Sequence, residues 1–495
     1  MKPTIHPLLQ QRQAGVLLHL TSLPITPGNG DLGAQAYYFV DFLVSTACRV
    51  WQFLPISPTQ EDRSPYQSTS AYAGDALLIS LDMLHQWGWL EAIPVHDKKR
   101  HGDAGAYRRQ MLLLAKQGFD RYAIGEDRDA LHHFISTEQT WLRDYALFEA
   151  LKKKFHNQPW YQWPLPYRDR HPDILGQSAQ ELAEGTAQVY FEQFVFNRQW
   201  HLLKAYANQK GVRLFGDMPI FVCHDSADVW ANRQYFQINA AGELEVVAGV
   251  PPDYFSENGQ RWGNPCYHWP ALIQSDFDWW LSRFKRQIHL FDLIRVDHFR
   301  GFQAYWEIPA TSLTAKSGQW VQAPGLALFA RLSRGVATLP IIAEDLGVIT
   351  PEVTALRQKF FFPGMRIFQF AFDGHPHNPH LPHNYSKHTV SYTGTHDNNT
   401  TLAWFNSLPD DVQKQVVDYL GYPTEAFPWP AIRAVLGSIA RLAIIPLQDI
   451  LALDGSHRMN QPGTSQGNWS WRFQWEQIEA DTVPRLRHLV KLYNR

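Results

Sequence analysis

Leu293-Ile294-Arg295-Val296-Asp297-His298 is the stretch on which the fold turns. Its first four positions suit a buried strand, and an acid and a histidine follow where such a strand would end. Seven other apolar, β-branched runs accompany it, most of them ending in polar or charged residues: Ala14–Leu20, Val50–Ile56, Arg213–Met218, Pro340–Ala343, Arg366–Phe370, Thr389–Tyr392 and Ala443–Leu447. Helix-like segments precede several of them, among them Ala187–Lys210, Asp278–Phe291, Gly325–Leu332 and Pro351–Lys359, the last with Pro in its first turn as helices prefer. Continuous apolar strands that alternate with helices predict a parallel sheet covered on both faces. Eight such units predict an α/β protein, a TIM (β/α)8 barrel, whose functional site lies at the C-terminal ends of the strands.

The composition supports a large folded core. Of 495 residues, 45% are hydrophobic and 19% charged, which excludes a disordered or fibrous chain. Forty-five Lys and Arg against 47 Asp and Glu leave a net charge of −2, so no global basic field is present to hold a nucleic acid. Cys48, Cys223 and Cys266 are far apart and form neither a disulfide framework nor a zinc spacing, which fits a reducing cytoplasm. Met1–Gln13 lacks the apolar core of a signal peptide, and no run reaches the roughly 18 apolar residues of a membrane span. Aromatic residues make up 14%, including 19 Trp and 20 Tyr, a content that suits either a big core or a surface for ring-shaped, hydroxylated ligands.

The spacing of the runs is uneven. About 155 residues separate the second from the third and about 75 the third from the fourth, far more than a crossover helix needs. One catalytic barrel over residues 1–495 is therefore expected to carry two insertions in its βα loops. The first, about 77–180, shows helical periodicity and a Pro/Trp-rich tract at Gln158–Tyr167; the second, about 224–280, reads as loops and short strands.

Four strand ends carry acids: Asp217, Asp297, Glu344 with Asp345, and Asp397. Singly, such an acid is a helix cap or a solvated loop residue. Together on one face they suggest chemistry. Arg295 and Asp297, two apart on a strand, project to the same side, so the guanidinium favours an ionised, oriented carboxylate fit to be a nucleophile. Glu344 follows Ile341-Ile342-Ala343, and burial among apolar neighbours would keep it protonated as a general acid. Retaining glycoside chemistry needs such a pair about 5–5.5 Å apart, and neighbouring strands lie about 4.8 Å apart. Asp397, with His396, is placed to bind substrate hydroxyls and stabilise an oxocarbenium-like transition state.

The segments Arg295-Val296-Asp297-His298-Phe299-Arg300-Gly301, Ala343-Glu344-Asp345-Leu346-Gly347 and Gly394-Thr395-His396-Asp397-Asn398-Asn399-Thr400 resemble those of glycoside hydrolase family 77, the amylomaltases or 4-α-glucanotransferases. Ser64-Pro65-Tyr66-Gln67-Ser68, Gly216–Val222, Pro251–Phe255, Arg261-Trp262-Gly263-Asn264-Pro265, Phe362–Met365 and Gly463…Trp469 resemble family segments in the same order. The resemblance implies Asp297 as nucleophile, Glu344 as acid/base and Asp397 as transition-state stabiliser. It further implies that Arg295, His298, His396 and Asp217 line the subsite of the transferred sugar. Tyr66, Trp262, Tyr254 and Asn264 would bind further glucose units. The implied substrates are linear α-1,4-glucans and maltooligosaccharides, with glucan or glucose as acceptor and no cofactor. Gly74-Asp75-Ala76 departs from the family's usual Gly-Asn-Pro, which touches only that turn and donor contacts nearby.

Transfer differs from hydrolysis only in what opens the glucosyl ester, so exclusion of water decides the outcome. Val250–Pro265, with Pro251, Pro252, Tyr254, Phe255 and Trp262, has the composition of an aromatic lid, with Gly249, Gly259 and Gly263 as hinges. An α-glucan hydrolase and a non-catalytic glucan-binding protein are the competing readings. Two other signals point elsewhere and are weak. Gly28-Asn29-Gly30-Asp31-Leu32-Gly33 matches G-x-G-x-x-G, but Pro24 and Pro27 interrupt the turn and Phe53 stands where a ribose-reading acid belongs. His375, His377, His380, His383 and His388 alternate with prolines, which makes converging metal ligands awkward, and no metal is expected.

Overall fold

The computed structural model describes residues 4–24, 27–252, 257–336, 338–464 and 466–495. Its strands are β1 (Gln13–Leu17), β2 (Val50–Gln52), β3 (Arg213–Met218), β4 (Val246–Val250), β5 (Gln260–Pro265), β6 (Leu293–Val296), β7 (Ala304–Pro309), β8 (Gln319–Gln322), β9 (Ile341–Ala343), β10 (Gly364–Ile367), β11 (Thr389–Tyr392) and β12 (Leu442–Pro446). Eight form one parallel sheet in the order β10-β11-β12-β1-β2-β3-β6-β9. The ends of this order meet where the Ala343 amide donates to the Pro363 carbonyl at 2.9 Å. The fold is a TIM barrel, and each of the eight expected runs overlaps one of its strands.

Asp345 secures the closure. Its buried carboxylate accepts from the Met365 amide at 2.7 Å and from Arg366 Nη1 at 3.1 Å, while Arg357 Nε lies 3.2 Å from its other oxygen. Gly364 is required here, since a Cβ would run into that carboxylate. The expected strand Arg366–Phe370 is displaced for a related reason. β10 begins directly after Pro363, and Phe368–Phe370 continues the apolar run as a 3-10 turn that packs Phe368 against Trp404. β2 is likewise shorter than its run: the Phe53 amide still donates to the Phe215 carbonyl at 2.8 Å, and the chain beyond it stays buried outside the strand.

Between β2 and β3 the chain forms helices, including Ala104–Tyr122, Gly125–Thr137 and Gln139–Lys154. Buried polar contacts hold this region together, and one ties it to the loop after β1. Gln193 exchanges two hydrogen bonds with the Gly74 backbone, and Gln199 does the same with Ser80. Arg108 pairs with buried Asp31 at 2.9 Å, and Asp31 also accepts from the Gly33 amide. The glycine-rich stretch around Asp31 therefore serves a structural joint.

A second, antiparallel sheet has the order β5-β4-β7-β8. Two of its strands come from residues 246–265 and two from 304–322, the latter beyond the range read as an insertion. Of the expected lid Val250–Pro265, Val250 ends β4 and Gln260–Pro265 is β5, while residues 253–256, with Tyr254 and Phe255, lie outside the described residues. Gly249 is a packing glycine there, whose Cβ would strike the Gln260 carbonyl, whereas Gly259 and Gly263 have positive φ. Among the described residues no helix is long and apolar enough to cross a membrane.

Replacing Asp345 by Ala would leave Arg357 and Arg366 without their shared counter-charge. The expected loss is about 3–5 kcal/mol of stability, read as a fall in the urea midpoint; a midpoint equal to wild type would show that closure does not depend on this carboxylate.

Candidate active site

The C-terminal ends of β3, β6, β9 and β11 bring the sequence-predicted acids to one mouth. Asp217 and Arg295 are partners in the β3/β6 ladder and therefore lie side by side. Arg295 is buried and forks between two carboxylates, with Nη1 donating to Asp217 Oδ2 and Nη2 to Asp297 Oδ1, each at 2.6 Å. Charge-assisted pairs of this length are the strong ones. The two carboxylates in turn hold Arg295 firmly protonated against the burial that opposes its charge. Burial raises the Asp217 carboxyl and the guanidinium opposes that shift. Asp217 Oδ2 also accepts from the Tyr66 hydroxyl at 2.8 Å, and its Oδ1 is buried without a protein partner.

Glu344 follows β9, and its amide donates to the Val296 carbonyl at 3.1 Å, which carries the ladder one step past the strands. The carboxyl is 8% exposed and accepts two backbone N–H groups, His298 on Oε2 at 2.7 Å and Leu346 on Oε1 at 2.8 Å. Those bonds favour the ionised form, as does Arg295. Burial and the negative charge of Asp297 outweigh them and push the Glu344 pKa upward. One carboxylate is thus gripped by a guanidinium while its neighbour is biased toward protonation, two unlike states side by side.

His298 has φ +49°, a left-handed conformation that aims its amide at Glu344. Its ring meets Trp262 edge to face at 4.8 Å. Burial lowers its pKa to about 4, so the ring is neutral at neutral pH, with Nε2 free of protein partners. His396 is also buried with a lowered pKa, and its Nε2 lies 3.3 Å from Asp397 Oδ1. The Tyr66 ring stacks on His396 at 5.3 Å, so Tyr66 belongs to the floor of the mouth. Trp262 lines one wall from β5. Asn264 is buried with its amide donating to the Val222 carbonyl at 2.9 Å, a contact that supports the wall and does not bring it to the acids. Tyr254 lies outside the described residues.

Several residues absent from the sequence reading complete the site. Asn460 Nδ2 donates to Asp397 Oδ1 at 2.6 Å and Arg458 donates to the Asp397 carbonyl. Asp449 is buried and accepts from Thr393 Oγ1 at 2.5 Å and from the Thr401 amide and hydroxyl at 2.7 Å, which fixes both ends of the turn that presents His396 and Asp397. A recess opens beside His396, bounded by His19, Asn398, Gln448, Arg458 and Trp471. The signal available for Arg458 and Asn460 is their place just beyond β12, where every barrel loop converges on the same face. Cys223 accepts from Gln60 Nε2, and burial pushes its thiol up to about 11, which suits packing. Among the described residues no group of three or more His, Cys, Asp or Glu is placed to hold a metal ion.

A barrel with two unlike carboxyls on adjacent strands and a third acid across the mouth defines an enzyme of the carboxylate-pair glycoside class. The sequence model of the 4-alpha-glucanotransferases matches residues 18–478. A 4-alpha-glucanotransferase of Thermus thermophilus is 46% identical over 495 residues, with 98% of this chain and 99% of the relative covered. One of Synechocystis sp. is 45% identical over 502 residues, with 99% of each covered. Among solved structures, amylomaltase from Streptococcus agalactiae in complex with acarbose superposes with a TM-score of 0.93 at 37% identity, covering 98% of this chain and 100% of that one. The chain belongs to glycoside hydrolase family 77, the 4-alpha-glucanotransferases. Its activity is glucan transfer.

The raised Glu344 pKa has a measurable consequence for stability. The unfolded glutamate ionises near 4.5 and the native one at higher pH. Across that interval the native state binds more protons, so this group's contribution to stability is full below 4.5 and is lost as pH rises through the native value. Glu344→Gln has no proton to lose. Its melting temperature relative to wild type should rise across the interval and level off above it; a pH-independent difference would mean that Glu344 is not held protonated.

Proposed function

We propose that Asp297 attacks the anomeric carbon of an α-1,4-linked donor while Glu344 protonates the departing 4-oxygen. The C1–O4 bond breaks, the bond from C1 to the Asp297 carboxylate forms, and the shortened chain leaves with the Glu344 proton on its 4-hydroxyl. In the second step Glu344 takes the proton from an acceptor 4-hydroxyl, whose oxygen displaces Asp297 with net retention. The single observation that carries this reading is the Arg295 fork, which grips Asp297 beside a buried, proton-retaining Glu344. Asp397, oriented by Asn460 and His396, binds sugar hydroxyls as positive charge develops at C1. Arg295, Asp217, Tyr66, His298 and His396 line the subsite of the transferred glucose. Neutral imidazoles suit hydroxyl partners, because each can donate and accept.

Linear α-1,4-glucans and maltooligosaccharides serve as donors, and glucan or glucose as acceptor. The relative solved with acarbose supports the α-glucan part of this reading. Residues 1–495 form one catalytic unit, with 77–180 and 224–280 as insertions that shape the cleft. The free cysteines Cys48, Cys223 and Cys266 fit a cytoplasmic enzyme.

With maltotriose alone, the enzyme should produce glucose and a ladder of longer oligomers at constant total reducing ends. Asp297→Asn should abolish the ladder and still bind glucan. Rising reducing ends would favour hydrolysis, an unchanged substrate a binding protein, and an active Asp297→Asn would remove the nucleophile assignment.

Trp262 packs on His298 at the wall of the mouth, where it limits water access to the ester. Trp262→Ala should raise the ratio of hydrolysis to transfer. A lower total rate with the ratio unchanged would count against this shielding role.

A further inference from the structure

Outside the catalytic mouth, the antiparallel sheet presents a tryptophan to solvent. Trp320 is 39% exposed on β8, an edge strand. The register pairs Trp306 with Trp320 and Ala304 with Gln322, and directly opposed residues share a face, so Trp306, Trp320 and Gln322 lie together. Exposed single tryptophans are ordinary on protein surfaces. This one is unusual in how firmly it is held. The Trp306 indole donates to the Ala315 carbonyl at 2.8 Å and presents its ring to Trp320 at 5.2 Å and 66°. The Arg300 guanidinium lies over the Trp320 ring, 3.7 Å from its centroid, and is itself fixed by donating to the Val348 carbonyl.

The surroundings are polar amides. Gln322, two residues along β8 on the same face, is exposed, and Gln303 Nε2 donates to Gln322 Oε1 at 3.0 Å. A greasy interface would border such a ring with apolar side chains. An immobilised aromatic face edged by amides matches a pyranose, whose C–H face stacks while its hydroxyls take hydrogen bonds. The patch is also tied to the catalytic loops. Arg300 lies two residues beyond His298, in the 3-10 turn Phe299–Phe302, and Val348 lies four residues beyond Glu344. A glucan chain running out of the mouth along these loops would meet the Trp320 ring, and an uncharged polymer needs no charge patch to hold it.

We propose that Trp320, clamped by Arg300 and edged by Gln303 and Gln322, is a stacking platform for the α-1,4-glucan chain beyond the glucose units bound at the carboxylates. It makes the enzyme favour long glucans over short ones. This rests on the catalytic reading above. The test compares KM for amylose and for maltotriose in wild type, Trp320→Ala and Trp320→Tyr. Trp320→Ala should raise the ratio of the amylose KM to the maltotriose KM by about 3- to 10-fold, the size of one lost aromatic contact. Saturating kcat should move less than KM, and Trp320→Tyr should restore most of the ratio. An unchanged ratio, or equal rises for both substrates, would overturn the platform. The wild-type maltotriose ladder separates the two levels: if wild type makes none, the catalytic reading fails, whereas a normal ladder with an unchanged ratio sinks the platform alone.

Discussion

The guanidinium of Arg295 is the contact around which the active end of the barrel is organised. It is buried, always charged, and forked between Asp217 and Asp297. Its positive charge opposes the burial that raises the Asp217 carboxyl. With it both keep their place, and the negative field of Asp297 reaches Glu344 on the next strand. The unlike states of two carboxyls, which retaining chemistry requires, thus follow from one cation set between β3 and β6 and from burial at the end of β9.

The scaffold and the chemistry share a dipeptide. Consecutive residues at a strand end point in opposite senses. Glu344 accordingly turns toward the backbone amides of His298 and Leu346, and Asp345 turns toward Met365, Arg366 and Arg357 to close the barrel. Glu344 is therefore held as firmly as the seam of the sheet. On the far side of the mouth Asp449 does a comparable service for the turn of His396 and Asp397.

Much of this is legible in the chain. The eight strands read as short apolar runs because a parallel barrel buries both faces, and the acids read as functional because four strands end in them. Arg295 beside Asp297 follows from the two-residue period. What escapes reading is long-range. Asn460 and Arg458 lie 63 and 61 residues from Asp397 and carry no local pattern that names their partner. Strands β7 and β8 join a sheet begun 58 residues earlier at Val246, beyond the range read as the second insertion. Tyr66 looks like an open platform in sequence, and only the fold reveals its hydroxyl on Asp217 and its ring on His396.

The aromatic richness of the chain also resolves in three dimensions. Trp51, Trp160, Trp200, Trp230 and Trp280 are fully buried and account for core volume, while Trp262 packs on His298 and Trp320 is exposed on β8. At the active end, Glu344 is biased toward keeping its proton while Asp297 is held by Arg295. The most direct measurement is an infrared difference spectrum between wild type and Glu344→Gln, recorded at about pH 6, above the ordinary glutamate value. A protonated-carboxyl stretch present in wild type and missing in the variant is the predicted result. A carboxylate band in its place would mean that Glu344 is already ionised, and would contradict the account.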